Sequence, residues 1–290
     1  MNALSVELVI DARNDVGEGP SWDASTQTLL WVDIPRKEVH RYSVADATHD
    51  VWSLDETVSA IVPRRSGGYG LTLESRIAVT DGWQGELGTV ASIDHGDACC
   101  RMNDAKCDTQ GRLWAGSMAW DGKPGAGSLY RCDLDGSIER VVTDVTISNG
   151  LGWSPDDERM YYVDTGRHSI DAFRFDPESG SIESRETIVE IAEEQGLPDG
   201  LAVDAEGCIW LAMWGSGAVH RYSPDGELLE VVSLPATQVS SCAFGGPDLR
   251  DLYVTSAASG LRQETDRDLE GGLFKVRVAT AGLPTNPFGC

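Results

Sequence analysis

Short strand-like runs with an aromatic residue at the same position recur along this chain, and this repeat constrains the fold more than any other feature. Five runs are strong copies and one is weaker. Their aromatic positions lie roughly 40 to 50 residues apart, allowing for the weak copy, which is the spacing of propeller blades. The runs are Leu29–Asp33, Gly68–Thr72 (the weak copy), Arg112–Gly116, Met160–Asp164, Cys208–Ala212 and Asp251–Thr255.

Each repeat continues with further short strand-like runs separated by turns rich in Asp, Gly and Pro, such as Asp133–Gly136 and Ser223–Gly226. Short strands bounded by such turns at regular spacing indicate an all-β fold. No window has strong helical periodicity; residues 188–195 come nearest, with room for one helical turn. The pattern predicts a six-bladed β-propeller formed as a single domain by residues 1–290. We expect Ser5–Val9 to pair with Gly272–Val276 and close the ring, which hides the sheet edges.

A polar residue begins the segment that precedes each aromatic run, and we interpret these segments as the innermost strands of the blades. Equivalent positions in propeller blades lie on a circle around the central axis. The six leading side chains are therefore expected to face one another at one end of the channel. They are Glu18, Ser59, Asn103, Asn149, Asp199 and Ser241.

Two of these residues, Glu18 and Asp199, carry carboxylates that would repel each other in a partly dry channel. At ~4 Å and an effective dielectric of ~20 the repulsion is on the order of 4 kcal/mol, so a proton or a cation must lie between them. Carboxylate and amide oxygens suit Ca²⁺, Mg²⁺ and Mn²⁺, and they also hold Zn²⁺ or Fe²⁺. We predict that Glu18, Asn149 and Asp199 bind one divalent ion. Asn103 is either a fourth ligand or a substrate contact, and the alternative is that all these residues only cap strand ends.

The composition narrows the possible partners and the compartment. Acidic residues outnumber basic ones 47 to 23, giving a formal net charge of −24, which disfavours nucleic acid and anionic membrane surfaces. The seven cysteines are odd in number and form no CxxC pair, which fits free thiols in a reducing compartment. No signal peptide or membrane-spanning run is visible. We expect a cytoplasmic protein with a small-molecule substrate and no obligate protein partner.

Seven short motifs together resemble the gluconolactonase/regucalcin (senescence marker protein) family of six-bladed propellers. The resemblance extends from about residue 7 to residue 278, and the ordered set is far more specific than any single motif. The motifs are Gly17–Pro20, Arg101–Asp104, Gly111–Met118, Gly127–Arg131, Ile147–Gly150, Pro198–Leu201 and Phe244–Pro247.

The resemblance implies a metal-dependent lactonase that hydrolyses a sugar-acid lactone, such as a glucono-, xylono-, arabinono- or galactonolactone, in carbohydrate catabolism. It places the family's metal ligands on Glu18, Asn149 and Asp199 and its substrate-binding residues on Arg101 and Asn103. Asp199 would also act as the general base.

Other positions are less defined by the motifs. Asp104 carries no assigned role, and Arg101 could instead form a salt bridge with a loop acid. Asp121, in the loop after an aromatic strand, is a further candidate for substrate binding or an ordinary solvated loop residue. Ala105 and Ser117 replace the family's usual Gly and Thr, and the segment 263–270 is shorter than the family's loop, which bears on the identity of the substrate.

Two other functions compete with the lactonase. One is a non-catalytic calcium-binding or regulatory propeller, and the other is a phosphotriesterase-like propeller hydrolase. Arg101 beside Asn103 favours a polyhydroxylated substrate over an apolar organophosphate. A serine hydrolase is disfavoured because no GxSxG motif is present.

Overall fold

The computed structural model describes residues 4–96, 99–261 and 269–290, and within them it is built almost entirely of β-strands. The prediction of an all-β fold is confirmed. The described helical segments are two 3-10 turns, Thr165–Arg167 and Glu193–Gln195, and the second lies within the weakly helical window. Neither is long or apolar enough to cross a membrane. The loop 263–270, expected to be shortened, lies up to residue 268 outside the described residues.

Twenty-four strands make up the described fold. In chain order they are β1 (Val6–Ile10), β2 (Gly17–Asp23), β3 (Thr28–Asp33), β4 (Glu38–Ser43), β5 (Thr48–Ser53), β6 (Val58–Pro63), β7 (Tyr69–Leu73), β8 (Arg76–Thr80), β9 (Gly88–Ser92), β10 (Cys100–Cys107), β11 (Leu113–Ala119), β12 (Gly127–Cys132), β13 (Ile138–Val145), β14 (Ser148–Trp153), β15 (Arg159–Asp164), β16 (Ser169–Asp176), β17 (Ser181–Glu190), β18 (Leu197–Val203), β19 (Ile209–Trp214), β20 (Ala218–Tyr222), β21 (Leu228–Ser233), β22 (Gln238–Gly245), β23 (Asp251–Ala257) and β24 (Leu273–Arg277).

The strands form antiparallel sheets of sequence neighbours. Four sheets have four strands each, β2–β5, β6–β9, β10–β13 and β14–β17, and a fifth sheet has eight. In the larger sheet, β18–β21 and the group β22, β23, β24 and β1 meet through the single residue pair Trp214 and Gln238. The first strand of the chain pairs with the last, with Val6 opposite Val276.

The first strand of each four-strand group contacts its counterparts on both sides. β2 contacts β6, β6 contacts β10, and the series continues through β14, β18 and β22 back to β2. Neighbouring first strands run in the same direction, because Gly150 lies against Asp199 while Gly152, further along β14, lies against Val203. The sheets are thus arranged around a central channel as a β-propeller, with corresponding ends of the inner strands at the same mouth.

The aromatic repeat has a local structural cause that is seen twice in the same form. Asp108 directly follows an inner strand and accepts the indole N–H of Trp114 at 3.0 Å, and Asp204, which follows β18, accepts that of Trp210 at 2.9 Å. The other oxygen of each carboxylate accepts backbone N–H groups of the following turn. One buried carboxylate therefore joins the turn to the aromatic strand, so that aspartate and tryptophan recur together.

The core lies between adjacent sheets, where large aromatic residues interdigitate. Trp22 of the first sheet stacks on Tyr253 of the last with ring centroids 6.0 Å apart, and Trp114 meets Trp153 edge-to-face at 6.1 Å. All four side chains are buried. Each such ring contributes on the order of 2–3 kcal/mol through burial, which holds the sheets, and hence the inner strands, in fixed positions.

Candidate functional site

Every inner strand loses its one-to-one register with the next strand at the place where the candidate residues lie. Such β-bulges re-aim side chains out of the regular alternation, and they are common beside active sites. The irregular stretches are Glu18–Ser21, Val58–Ala60, Met102–Ala105, Ser148–Leu151, Pro198–Leu201 and Val239–Ser241. The bulges therefore lie at corresponding places in the six inner strands.

One member of the expected ring was assigned wrongly. Val239 and Ser241 are both paired with β23, so the residue left unpaired in β22 is Ser240, just as Ser59 is in β6. Ser240, not Ser241, therefore occupies the sixth position. A bulge adds a residue that spacing alone does not reveal. Ser240 Oγ donates a hydrogen bond to the carbonyl of Gly17, which ties the last sheet to the first.

Glu18, Asn149 and Asp199 come together at the channel mouth as three buried side chains. Burial raises the pKa of Glu18 to about 8, with a further contribution from the Asp104 charge. Burial and then the charges of Glu18 and Asp104 raise the pKa of Asp199 well above its usual range, while the Asn149 amide beside it lowers that pKa. Both carboxyl groups thus resist ionisation in this dry environment unless a cation is bound between them.

Two oxygen atoms of this group lack hydrogen-bond partners. Asn149 Oδ1 and Asp199 Oδ1 are both buried, and neither is paired with any residue that the structure describes. Buried polar oxygens almost always accept a hydrogen bond. Two unpaired oxygens on side chains that are neighbours in space therefore indicate a place for a bound ligand. Carboxylate and amide oxygens are the donors that hard divalent cations take, so the residues present fit a metal ion.

Thr165 fixes the orientation of the Asn149 amide, a role that the sequence did not reveal. Thr165 Oγ1 donates its hydroxyl proton to the carbonyl of Pro198 at 2.9 Å and accepts Asn149 Nδ2 at 3.0 Å. Because the amide nitrogen is committed to the hydroxyl, Asn149 Oδ1 is left free on the other side. Thr165 lies in the turn after β15, where threonine is ordinary and carries no motif.

Arg101 and Asn103 form a linked pair next to the three ligand candidates. Arg101 Nη1 donates to Asn103 Oδ1 at 2.8 Å, and Asn103 Nδ2 donates to the carbonyl of Ser148 at 2.9 Å. Burial lowers the pKa of Arg101, and the Glu18 and Asp199 charges act in the opposite direction. The guanidinium therefore faces both carboxylates, and it does so without a direct ion pair to a loop acid among the described residues.

An exposed aromatic ring covers this pair. The Arg101 guanidinium lies 5.4 Å from the ring centroid of Trp120, a distance suited to a cation–π contact. Trp120 is 46% exposed, the one aromatic among the large exposed hydrophobic residues described. Asp121, next in sequence, is exposed and its carboxylate accepts the backbone N–H of Lys123. The structure therefore brings Asp121 to the rim beside Trp120 rather than into the buried group.

Asp104 lies deeper, on the channel side of the bulge in β10. It is buried, its Oδ1 accepts the N–H of Ala105, and burial raises its pKa while the Lys106 charge lowers it. Asp104 also acts on the pKa values of Glu18 and Asp199, so it lies within reach of both. No role for this residue follows from the motifs, and the structure places it in the lining of the cavity beneath the ligand candidates.

A second acidic cluster, Asp204, Glu206 and Cys208, lies outside the channel mouth. Both oxygens of Asp204 are occupied by turn N–H groups, by Trp210 and by the Arg221 guanidinium. Glu206 also pairs with Arg221. These bonds account for the cluster as a structural turn.

Comparison with known proteins identifies the family to which this fold and site belong. The family described as "SMP-30/Gluconolactonase/LRE-like region" matches residues 16–258. The chain belongs to this family. The resemblance inferred from the seven motifs is therefore confirmed.

Relatives match the chain over nearly all of its length, in sequence or in fold. Regucalcin from Gallus gallus is 37% identical over 298 residues, covering 99% of each chain. The solved structure of a luciferin-regenerating enzyme superimposes with a TM-score of 0.93 at 33% identity, covering 99% of this chain and 100% of that one. A calcium-binding regucalcin from Agrobacterium tumefaciens superimposes with a TM-score of 0.95 at 28% identity, covering both chains completely.

Proposed function

We propose that the chain is a metal-dependent hydrolase that opens a sugar-acid lactone, such as an aldonolactone, to the free sugar acid. The observation that carries this proposal is the pair of unpartnered buried oxygens on Asn149 and Asp199 beside the Glu18 carboxylate. Membership of a family whose description includes gluconolactonase supports it. The reaction would belong to carbohydrate catabolism, and the free state of all seven cysteines fits a cytoplasmic location.

Glu18, Asn149 and Asp199 would hold one divalent ion, with Ca²⁺, Zn²⁺, Mn²⁺, Mg²⁺ and Fe²⁺ as the candidates. When bound, the ion supplies Lewis-acid polarisation of the lactone carbonyl. The regucalcin from Agrobacterium tumefaciens is described as calcium-binding, which supports an oxygen-ligand ion here. Asn103 is the weaker fourth ligand, because its Oδ1 already accepts the Arg101 N–H.

Asp199 would move the proton during hydrolysis. Its carboxylate takes a proton from the water that attacks the carbonyl carbon and returns it to the ring oxygen as the C–O bond breaks, giving carboxylic acid and alcohol. Asp199 Oδ1 has no hydrogen-bond partner among the described residues, so the carboxylate offers one oxygen that no protein group occupies. Burial excludes bulk water from the proton transfer.

Arg101 and Asn103 would orient the sugar. The Arg101 guanidinium presents N–H donors at the mouth, and charge-assisted hydrogen bonds to hydroxyl oxygens are stronger and more directional than neutral ones. Asn103 holds the guanidinium in place through its 2.8 Å contact. Asp121 at the rim would accept hydrogen bonds from hydroxyl groups at the outer end of the substrate.

The propeller itself would have six blades in one domain. Each half of the eight-stranded sheet has the strand order of one four-stranded sheet, and the halves are joined at one residue pair. The cycle of contacts among six inner strands and the pairing of β1 with β24 support ring closure. We assign the single domain to residues 1–290 on the same basis.

Two alternatives remain for comparison. The regucalcin names fit a non-catalytic calcium-binding propeller, which would bind the ion but leave lactones intact. A phosphotriesterase-like hydrolase would prefer apolar phosphotriesters, a preference that the polar Arg101–Asn103 pair does not support.

A pH-stat assay over a panel of aldonolactones and phosphotriesters separates the three functions. The protein is stripped with EDTA and then restored with each divalent ion. The proposal requires ion-dependent acid release from at least one aldonolactone; hydrolysis of the phosphotriesters alone, or of nothing, contradicts it. Asp199→Asn should lower kcat by about a thousandfold, within the usual range for a general base. Asp135→Asn, in an exposed turn, is the matched control and should retain full activity.

A further inference from the structure

Lys106 spans the central channel beneath the site. It belongs to β10, yet its Nζ donates a hydrogen bond to the carbonyl of Leu201 in β18 at 2.6 Å. In the ring of inner strands β14 lies between these two strands. The lysine side chain therefore crosses the channel rather than following its wall.

The space below the lysine is a cavity of about 330 Å³. Its lining includes Lys106, Asp104 and Ser241, and at the far end Leu283 and Pro284 of the C-terminal segment. Lys106 is the one basic residue among the described residues of this lining. Lys106 is half-buried, as expected if its side chain faces the cavity. Burial lowers the pKa of its amine, and the Asp104 charge raises it.

The ammonium of Lys106 belongs to the same charge network as the ligand candidates. It interacts with Asp104, and Asp104 in turn interacts with Glu18 and Asp199. Isolated buried charges are strongly unfavourable, so each of these enclosed carboxyl groups ionises only with a cation nearby. Arg101 provides one from the mouth, and Lys106 provides one from below.

We propose that Lys106 is a resident cation beneath the metal site, which stabilises the Asp104 carboxylate when no divalent ion is bound and limits the affinity when one binds. The inference rests on the proposed metal site, although it requires no catalytic activity. A fixed ammonium repels an incoming dication, and at an effective dielectric of ~20 the repulsion still corresponds to more than tenfold in affinity at a separation of ~20 Å. The position of Lys106 therefore sets how tightly the site holds its ion.

Calorimetric titration of EDTA-stripped protein with Ca²⁺ and Mn²⁺ tests this inference. Lys106→Met removes the charge and keeps a side chain of similar length, and it should bind the ion at least tenfold more tightly than the wild type. Lys275→Met, which removes a surface lysine paired with Glu7, is the matched control and should leave the affinity unchanged. An unchanged or weaker affinity in Lys106→Met overturns the proposal.

A second variant separates the charge from the hydrogen bond and covers the case in which Lys106→Met does not fold. Lys106→Gln keeps an N–H donor for the Leu201 carbonyl and loses the charge, so it should also bind the ion more tightly. Wild-type affinity in Lys106→Gln would assign the effect to the hydrogen bond and refute the role of the charge. If the wild type itself binds no divalent ion, the proposed metal site is refuted as well. That outcome is distinct from one in which the wild type binds an ion and the variants bind it with the same affinity.

Discussion

Replacing Glu18 by glutamine should make the metal-free protein more stable. The pKa of Glu18 is raised from 4.5 to about 8, chiefly by burial. Its contribution to stability is therefore complete below pH 4.5, where both folded and unfolded states are protonated, and is lost as the pH rises towards 8. From pH 4.5 to 7 the loss is about 1.4 kcal/mol per pH unit, or about 3 kcal/mol in all. Glutamine has similar size and no charge, so Glu18→Gln should avoid this cost.

Urea unfolding of EDTA-treated protein at pH 7 and pH 4.5 measures the effect. We expect Glu18→Gln to exceed the wild type by about 3 kcal/mol at pH 7, equivalent to about 5 °C in Tm for a chain of this length, and to match it at pH 4.5. Glu227→Gln, which changes an exposed turn residue, should differ from the wild type at neither pH. Excess divalent ion should make the wild type more stable to unfolding than Glu18→Gln at pH 7, because the wild type binds the ion more tightly. Equal stability of the metal-free proteins at pH 7 would refute the reasoning that Glu18 is held in an unfavourable environment for the sake of a ligand.

Three further predictions follow from contacts around the site and in the first sheet. Thr165→Val removes the acceptor that holds the Asn149 amide and should weaken divalent binding about tenfold in a calorimetric titration, since outer contacts of ligands typically contribute 10- to 100-fold. Trp120→Ala removes the ring over Arg101 and should raise KM for an aldonolactone several-fold with little change in kcat; an equal fall in kcat would contradict a binding role. Burial lowers the pKa of His40 to about 3, so the unfolded state takes up the proton first and stability falls as the pH drops below about 6.5. His40→Gln should recover about 2 kcal/mol of that loss by pH 5 in urea unfolding. If the variant loses as much stability below pH 6.5 as the wild type does, His40 does not have a lowered pKa.

The repeat and the channel-facing residues could be read from the sequence because each depends on local patterns. The aromatic runs mark strands whose tryptophans bond to turn aspartates only a few residues away, as Trp114 does with Asp108. Glu18, Asn149 and Asp199 stand out because each is followed by a glycine in an otherwise apolar run. Gly200 shows why glycine is needed after Asp199, because a Cβ there would lie 2.0 Å from Ser241 Oγ of the neighbouring strand.

The features that the sequence did not reveal depend on contacts between distant segments or on a one-residue shift in strand register. Ser240 rather than Ser241 completes the ring because a bulge in β22 displaces the register by one residue, which reverses the face of each side chain. Thr165 acts through a hydroxyl that meets Asn149 across a turn. Lys106 looks like a surface lysine in the sequence, and only the position of β18 across the channel reveals its acceptor.

The pairing of β1 with β24 has a consequence for how the chain is made. During synthesis the N-terminal strand emerges first but lacks its neighbour until the last strand has left the ribosome. Until then, five groups of strands can assemble, but the strand edges that pair with β24 remain without a partner. Unpaired strand edges can form hydrogen bonds with other chains. Slow elongation or premature release before β24 has been synthesised should therefore favour aggregation far more than equivalent pauses earlier.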